Sequence, residues 1–421
     1  MISNRFNARV VIASMATASA GLSVVIISLS KFLLVITALV VLLRGKPVTD
    51  EDASWQSMWT PRLVLAIVFI FALSLLWTSA PMAQALGAMG KYGKFLVIPA
   101  LLVLIRTHQE AAYALVVFLG AQVFLLISSW FLYFHVPVVW ATSNMASDRY
   151  AVFSSYLDQG IMSATVAAIF WHLKTLAPNR PLFYGAIVIS LLALTSAFAV
   201  FLGRTGYVVG GLMVTLAILW GLPKRYRLAA VLVPPLILIL AIFSSDKVAQ
   251  RLSFTKTEIS AYSSGIGAAT STDNRLDFWR GSVEAIHAKP LMGFGVGSWT
   301  TEYNRIERLR HPTHKNLGIG GNPHQEFLLW GVQLGVGGVL LLLGFMGSAL
   351  LDFLKMDAPI ARAGQSVLAA LVVSCLFNSS LFDAYIGDFF CIALGVLLTY
   401  GIRINVISLQ EKSQIIGVCV G

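Results

Sequence analysis

Charge is scarce in this chain. Asp, Glu, Lys and Arg make up only 12% of its 421 residues, roughly half the fraction usual in a soluble domain. That deficit excludes an ordinary water-exposed surface over most of the molecule. Cysteine is nearly absent. The three present are Cys375, Cys391 and Cys419; two fall in apolar segments and one in the tail, at no metal-ligand or disulfide-framework spacing. No small-residue cleavage site follows the first apolar run, so that run reads as a membrane helix and not as a removable signal.

What is abundant is apolar. Hydrophobic residues reach 57% and the mean hydropathy is +0.79. The fold class this predicts is all-α and integral to a membrane, with about twelve transmembrane helices of the length a bilayer demands. Twelve candidate spans can be marked: Val10–Leu29, Phe32–Leu43, Leu63–Trp77, Phe95–Ile105, Ala111–Phe134, Gly160–Leu173, Leu182–Leu202, Gly206–Leu222, Leu228–Phe243, Phe327–Leu350, Val367–Leu381 and Tyr385–Ile402. Three regions follow: helices one to nine over 1–243, a loop domain over 244–325, and helices ten to twelve with a cytoplasmic tail over 326–421.

The net charge of +11 does not point to nucleic acid, because no basic, aromatic-interleaved soluble domain exists to carry it. It reads as topology signalling with contact to anionic membrane lipids. With the N-terminus inside, fifteen Lys or Arg of the short connections and termini fall on the inner side. Only Lys31, Lys91, Lys94, Arg149 and Arg204 fall outside. That asymmetry is the positive-inside pattern.

The segment from Ser244 to Gln325 is the one soluble-like region, and it falls on the outer side. It is too long for a simple connector. Asp273-Asn274 can cap a helix running to about His287, with Leu276, Trp279, Val283 and Ile286 as its apolar face. Lys289-Pro290 ends that helix, and Gly293-Phe294-Gly295-Val296-Gly297 predicts a tight turn. No strand precedes these glycines, so they form no dinucleotide fingerprint. Gly335, Gly337 and Gly338, further on, read first as close helix packing.

Polar groups capable of chemistry collect on this outer side. Arg204 stands between two apolar runs; it is either an interfacial anchor or a fork for phosphate oxygens. Arg275 and Arg280 flank Trp279. Arg251, Arg305, Arg308, Arg310 and Lys315 join them in a loop with ten basic residues against seven acidic. Such a surface is either a solvated face near anionic headgroups or a funnel for a polyanionic lipid-linked substrate. Lys91 and Lys94 can belong to the same site. His311-x-x-His314 offers too few ligands for zinc, and no metal is expected. His324, in Asn322-Pro323-His324-Gln325-Glu326-Phe327, is either a helix-cap histidine or a base able to take a proton from a sugar hydroxyl.

These residues resemble a known family. His324-Gln325, nine residues and Gly335-Val336-Gly337-Gly338 match the signature of bacterial O-antigen ligases: His, then Asn, Ser or Gln, nine residues and Gly-x-x-Gly. Arg275-x-x-x-Trp279, Lys289-Pro290-Leu291-Met292-Gly293-Phe294-Gly295 and Arg204-Thr205-Gly206 resemble further motifs of the ligase and polymerase superfamily. The resemblance implies a GT-C-like architecture with one large, partly helical periplasmic loop. It implies a metal-independent, inverting glycosyltransferase without cofactors, in the inner membrane of a Gram-negative bacterium. The polysaccharide would pass from undecaprenyl diphosphate to lipid A–core during lipopolysaccharide synthesis. On that mapping His324 is the general base, and Arg204 and Arg275 hold the diphosphate. Arg251, Arg280, Lys91, Lys94, Trp279, Gln325 and Asp383 line the substrates, with Asp388 a weaker candidate. An O-antigen polymerase of the same superfamily is the nearest alternative. A lipid-linked glycan transporter is the distant one, disfavoured because the ionisable residues gather at an interface and not at mid-membrane.

Overall fold

The computed structural model describes residues 8–44, 57–142, 150–201, 203–226, 271–310 and 321–420. The expected span Leu228–Phe243, together with Arg251, His311, His314 and Lys315, lies outside the described residues. All regular structure among the described residues is helical. Nine stretches there are long and apolar enough to cross a bilayer.

In chain order the helices are α1 (Ala8–Ala18), α2 (Val24–Leu43), α3 (Trp59–Leu73), α4 (Met82–Tyr92), α5 (Val97–Leu104), α6 (His108–Tyr133) and α7 (Tyr156–Leu173). Then come α8 (Arg180–Thr195), α9 (Arg204–Gly221), α10 (Ser271–Ala288), α11 (Trp299–Arg310), α12 (Glu326–Phe353), α13 (Ala358–Phe377) and α14 (Ala384–Val420).

Three boundaries differ from the sequence expectation. The first break comes at Gly21, whose φ of 83° suits a residue without a Cβ, and not between Leu29 and Phe32. Lys31 therefore sits inside α2. Its ammonium is held by both carboxylate oxygens of Asp388 at 2.7 Å, which removes the cost of an unpaired charge in an apolar helix. The expected half-length span Phe95–Ile105 is the end of a longer one, Met82–Leu104. Its first half was obscured by Gln84, Gly87, Gly90, Lys91 and Lys94. The expected span Val367–Leu381 begins earlier, at Ala358, and stops at Phe377, so residues 378–383 form a connection at the end of the bundle.

α7 is the centre of its half of the bundle, against α8, α9 and α13. From Gln159 to Leu173 every side chain but Trp171 is buried, so this helix meets protein on all sides and can carry polar residues where they are satisfied. Gln159 does so, donating to the Ser129 hydroxyl at 2.5 Å and accepting from the Val152 N–H at 2.8 Å. The α7–α9 crossing is made close by two glycines. A Cβ on Gly206 would stand 3.3 Å from the Gly160 carbonyl carbon, the small-residue contact used by membrane helices.

One end of the bundle is basic. Arg9 grips Glu110 through two nitrogens, at 2.6 and 2.9 Å, and also donates to the Leu104 carbonyl. Arg403, buried, donates to the carbonyls of Leu102 and Ile105. Asp352 satisfies the opening N–H groups of α3, at 3.1 Å from Trp59 and 2.8 Å from Thr60. A helix start needs such acceptors. The polar loops of 289–298, 321–325 and 378–383 lie at the other end.

The segment 271–310 packs its two helices together in continuity with the core of the bundle. α10 runs as expected, but the buried face differs: Val283 is exposed, whereas Gly281, Ser282 and Ala285 are buried. They face α11, a helix not anticipated from sequence. Trp299 stacks on Tyr303 with ring centroids 5.2 Å apart, Phe278 meets both edge-on, and the Trp299 indole donates to the Ser282 hydroxyl at 2.8 Å.

Candidate functional site

Two short loops at the polar end are stitched together around His324. α12 starts with Gln325 as its cap, whose side-chain oxygen accepts from the Leu328 N–H at 2.5 Å. The Gln325 N–H in turn donates to the Ser379 hydroxyl at 3.1 Å. Glu326, fully buried, accepts from the backbone N–H groups of Leu381 and Phe382 at 2.8 and 3.3 Å and from the Trp330 indole at 2.8 Å. The loop before α12 and the loop after α13 thus share one hydrogen-bonded seam.

His324 is held in an unusual backbone conformation, with φ of 51°. A side-chain-bearing residue in that region costs of order 1–3 kcal/mol and persists only where its surroundings enforce it. The enforcement is visible. The Asn322 side-chain oxygen accepts from the His324 N–H at 2.9 Å, and its amide donates to Asp383 at 3.2 Å. The Trp279 indole, from α10, donates to the Pro323 carbonyl at 3.1 Å. Three separate elements therefore aim this histidine.

The imidazole is half-buried, with the Phe278 ring at 6.3 Å. Burial, and then the neighbouring Arg275 cation, push its pKa below the usual histidine value. At neutral pH the ring is uncharged and free to accept a proton. Arg275 itself is half-buried, and its pKa is lowered first by burial and then by Arg204. Two guanidinium groups thus stand within electrostatic reach of each other. Among the described residues neither has an ion-pair partner. Two cations so placed are able to act together on one anion. Arg204 opens α9 and is exposed. The preceding turn of α8 widens into a π-helix over Ser196–Val200, an irregularity common beside functional sites. Thr205, next to Arg204, is tied to Asn378 at 3.5 Å.

The other anticipated residues fall into two groups. Lys91 is exposed, and its ammonium lies 3.8 Å from the Phe382 ring centre. Arg280 is exposed on α10. Asp383 is half-buried beside Asn322; burial raises its pKa, opposed by Lys94, Lys91 and the Asn322 hydrogen bond. Lys94, by contrast, is 1% exposed and donates to the Asp383 backbone carbonyl. It supports the 378–383 loop from beneath and does not line the surface. The Trp279 indole N–H and the Gln325 side-chain oxygen are likewise engaged within the protein, on Pro323 and Leu328. Asp388 belongs to the buried Lys31 pair. Arg305 and Arg310, expected in a basic funnel, are answered by Glu302 at 2.8 Å and by Glu284 and Glu307 at 2.5 and 2.9 Å. Asn322, Glu326 and Ser379 were not anticipated. An Asn-Pro pair is a turn signal, but nothing local in sequence reveals a partner some sixty residues away.

The glycine-rich segments meet one another. Gly335 breaks α12 with φ of 65° and ψ of −155°. Into that break the loop after α10 inserts its backbone. Val336 N–H donates to Pro290 O at 2.7 Å, Phe294 N–H to Val332 O at 2.9 Å, and Gly295 N–H to Gln333 O at 2.8 Å. Gly293, Gly295 and Gly297 all have positive φ. The same loop is fastened to the α3–α4 connection, by Ser79 N–H to Phe294 O at 2.9 Å and Thr78 Oγ1 to Val296 O at 2.7 Å.

Residues 189–343 match the family model described as O-antigen ligase. This segment is an O-antigen ligase family domain. It runs from the outer half of α8 to the middle of α12, and so takes in Arg204, Arg275, His324 and the Gly335 break. The match supports a place for this segment in the superfamily of O-antigen ligases and polymerases. No curated protein matches the chain. The preceding helices, α1 to α7, lie outside the matched O-antigen ligase segment. Yet this part of the chain supplies Lys91 and the Thr78–Ser79 anchor of the inserted loop.

Proposed function

We propose that this protein is an O-antigen ligase. It transfers polysaccharide from undecaprenyl diphosphate to a sugar of lipid A–core, at the periplasmic face of the inner membrane of a Gram-negative bacterium. The observation that carries the reading is the convergence of Arg204, Arg275 and an uncharged His324 from three distant segments.

In the reaction His324 takes the proton of an acceptor hydroxyl. The freed oxygen attacks the anomeric carbon of the donor, the bond from that carbon to the diphosphate oxygen breaks, and configuration inverts. The diphosphate already leaves as a stable anion, so charge stabilisation serves it better than protonation. Arg204 and Arg275 supply that charge from fixed positions, and no metal or cofactor is required by this scheme. The half-buried setting of Arg275 and His324 strengthens their interactions by limiting water. Arg280 adds positive charge on the donor's approach, and Arg251 is assigned to it from the basic charge of the loop sequence alone.

The test is complementation of a ligase-deletion strain. Wild-type protein is expected to restore capped lipopolysaccharide. His324→Ala and Arg275→Ala are expected to insert normally yet leave bare lipid A–core and accumulated lipid-linked polymer. Ligation at the wild-type rate by His324→Ala would refute the base assignment. A deletion whose core carries a single repeat unit would instead identify a polymerase.

A further inference from the structure

A cavity of about 320 Å³ opens at the polar end between α4, the 297–300 turn and the start of α12. Its volume falls at the lower end of the range for small-ligand pockets, roughly 300–1,000 Å³. Lys91, Gln84 and Thr300 give it polar walls, and Phe382 and Leu329 apolar ones. That mixture suits a saccharide, whose ring faces are apolar and whose edges are hydroxyl-bearing. Lys91 has no ion-pair partner among the described residues; its ammonium rests on Phe382 at 3.8 Å and is available to an anionic group. Between the lining residues Gly297 and Trp299, the buried Ser298 hydroxyl has no hydrogen-bond partner among the described residues.

The position of the cavity is as informative as its lining. Arg204 and Arg275 approach His324 from the α9 and α10 side, where α9 packs on α7 and α13. The cavity approaches from the α4 side, where α4 packs on α3. From the Phe382 wall of the cavity the chain Phe382, Asp383, Asn322 and His324 leads to the base, joined by the Asn322 hydrogen bonds of 3.2 and 2.9 Å. An inverting displacement requires the attacking oxygen and the leaving group on opposite sides of the reacting carbon, and the base must stand with the attacker. The arginines belong to α9 and α10, whereas the cavity is walled by α4, the 297–300 turn and the start of α12, so leaving group and acceptor can be held by different elements.

We infer that this cavity is the acceptor subsite, and that Lys91 recognises a phosphate group on the acceptor saccharide. The inference rests on the ligase reading. The residues it adds are the cavity itself and Lys91 as a determinant of acceptor choice, separate from the donor clamp.

The experiment uses full-length protein in detergent and two probes: phosphorylated core oligosaccharide freed of lipid A, and undecaprenyl diphosphate. Wild type is expected to bind the oligosaccharide, and phosphatase treatment of the probe to weaken binding at least tenfold. Lys91→Gln should weaken the phosphorylated probe by a similar factor and be indifferent to the treated one. Thr300→Trp, which fills the cavity, should weaken both. Neither variant should change undecaprenyl diphosphate binding more than twofold, which also reports that the variants are folded. Unchanged oligosaccharide binding in both variants overturns the inference, as does a loss confined to undecaprenyl diphosphate. Transfer is measured in parallel. Phosphate-dependent binding through Lys91 without transfer to lipid A–core overturns the ligase reading and leaves the subsite standing. Wild-type transfer with unchanged acceptor KM in both variants does the reverse.

Discussion

Substitution of Gly335 by alanine tests why the family signature ends in Gly-x-x-Gly. Gly335 occupies φ 65°, ψ −155°, a region essentially restricted to glycine, where a side chain costs of order 1–3 kcal/mol. The new Cβ would also overlap the Pro290 carbonyl oxygen and stand 2.7 Å from the Leu291 carbonyl carbon. Both are backbone atoms of the inserted loop and cannot rotate away. Relief demands that the loop withdraw, with loss of the Val336–Pro290 hydrogen bond. The combined penalty is about 3 kcal/mol, roughly a hundredfold in the docking equilibrium, and on the order of 5 °C in thermal midpoint. Gly338→Ala fares similarly, since its Cβ would lie 2.5 Å from the Trp330 oxygen. Gly337→Ala is the control. Its nearest neighbour is the Leu291 oxygen at 3.8 Å, and replacing a helical glycine stabilises by about 0.5–1 kcal/mol. Thermal unfolding of the solubilised protein and transfer by membranes measure the effect. Gly335→Ala and Gly338→Ala should lose both stability and transfer, while Gly337→Ala keeps both. Equal behaviour of all three glycines would refute the docking argument.

Three further outcomes are expected. Arg275→Gln removes a cation beside His324, so the imidazole pKa rises; the acid limb of the residual transfer activity should move to higher pH, because protonation of the base then begins earlier as pH falls. Asn322→Ala releases the His324 backbone and removes the Asn322 donor from Asp383; kcat should fall at least tenfold with a thermal midpoint only a few degrees lower, since each of the two hydrogen bonds lost contributes about 0.5–1.5 kcal/mol. Asp352→Ala, at the basic end, orphans the Trp59 and Thr60 N–H groups and should lower the thermal midpoint while the KM for either substrate stays unchanged.

The membrane architecture is legible from sequence because the bilayer fixes a length and a polarity for each crossing. The errors fall where protein replaces lipid as the neighbour. Lys31 looks like a connection residue until Asp388, distant in sequence, supplies its partner. The α4 half of its span looks too polar until Lys91 is seen at the mouth of a cavity and Lys94 beneath Asp383. The site is legible to a lesser degree. His324 and Arg204 stand out because charged or titratable groups at the end of an apolar run need a reason, whereas Arg275, on the polar loop, stands out only through the motif it shares with Trp279. The residues that aim His324 do not stand out. Asn322, Ser379 and Asp383 are ordinary polar residues in short connections, and their role exists only once α12 and α13 are side by side. The loop glycines could be read as turns, but not as halves of one joint with Gly335.

The arginine pair and the histidine constrain one another electrostatically. In the free protein burial, and then the positive charge of Arg275, hold the His324 pKa down, which keeps the base unprotonated but also makes it weak. Arg204 and Arg275 repel each other, so the pair is set to gain from an anion placed between them. When the proposed donor brings its diphosphate, that charge compensates Arg275, and the part of the depression that Arg275 causes is relieved, while the part due to burial stays. The base therefore gains strength when a leaving group is in place and remains weak when it is absent. The same interaction that binds the donor also limits unproductive activation of an acceptor hydroxyl or of water. A lysine in place of Arg275 would preserve the charge, but not the planar fork that can engage two phosphate oxygens at once. The chemistry thus depends on both the sign and the shape of this group, and on a backbone at His324 that three separate elements hold in place.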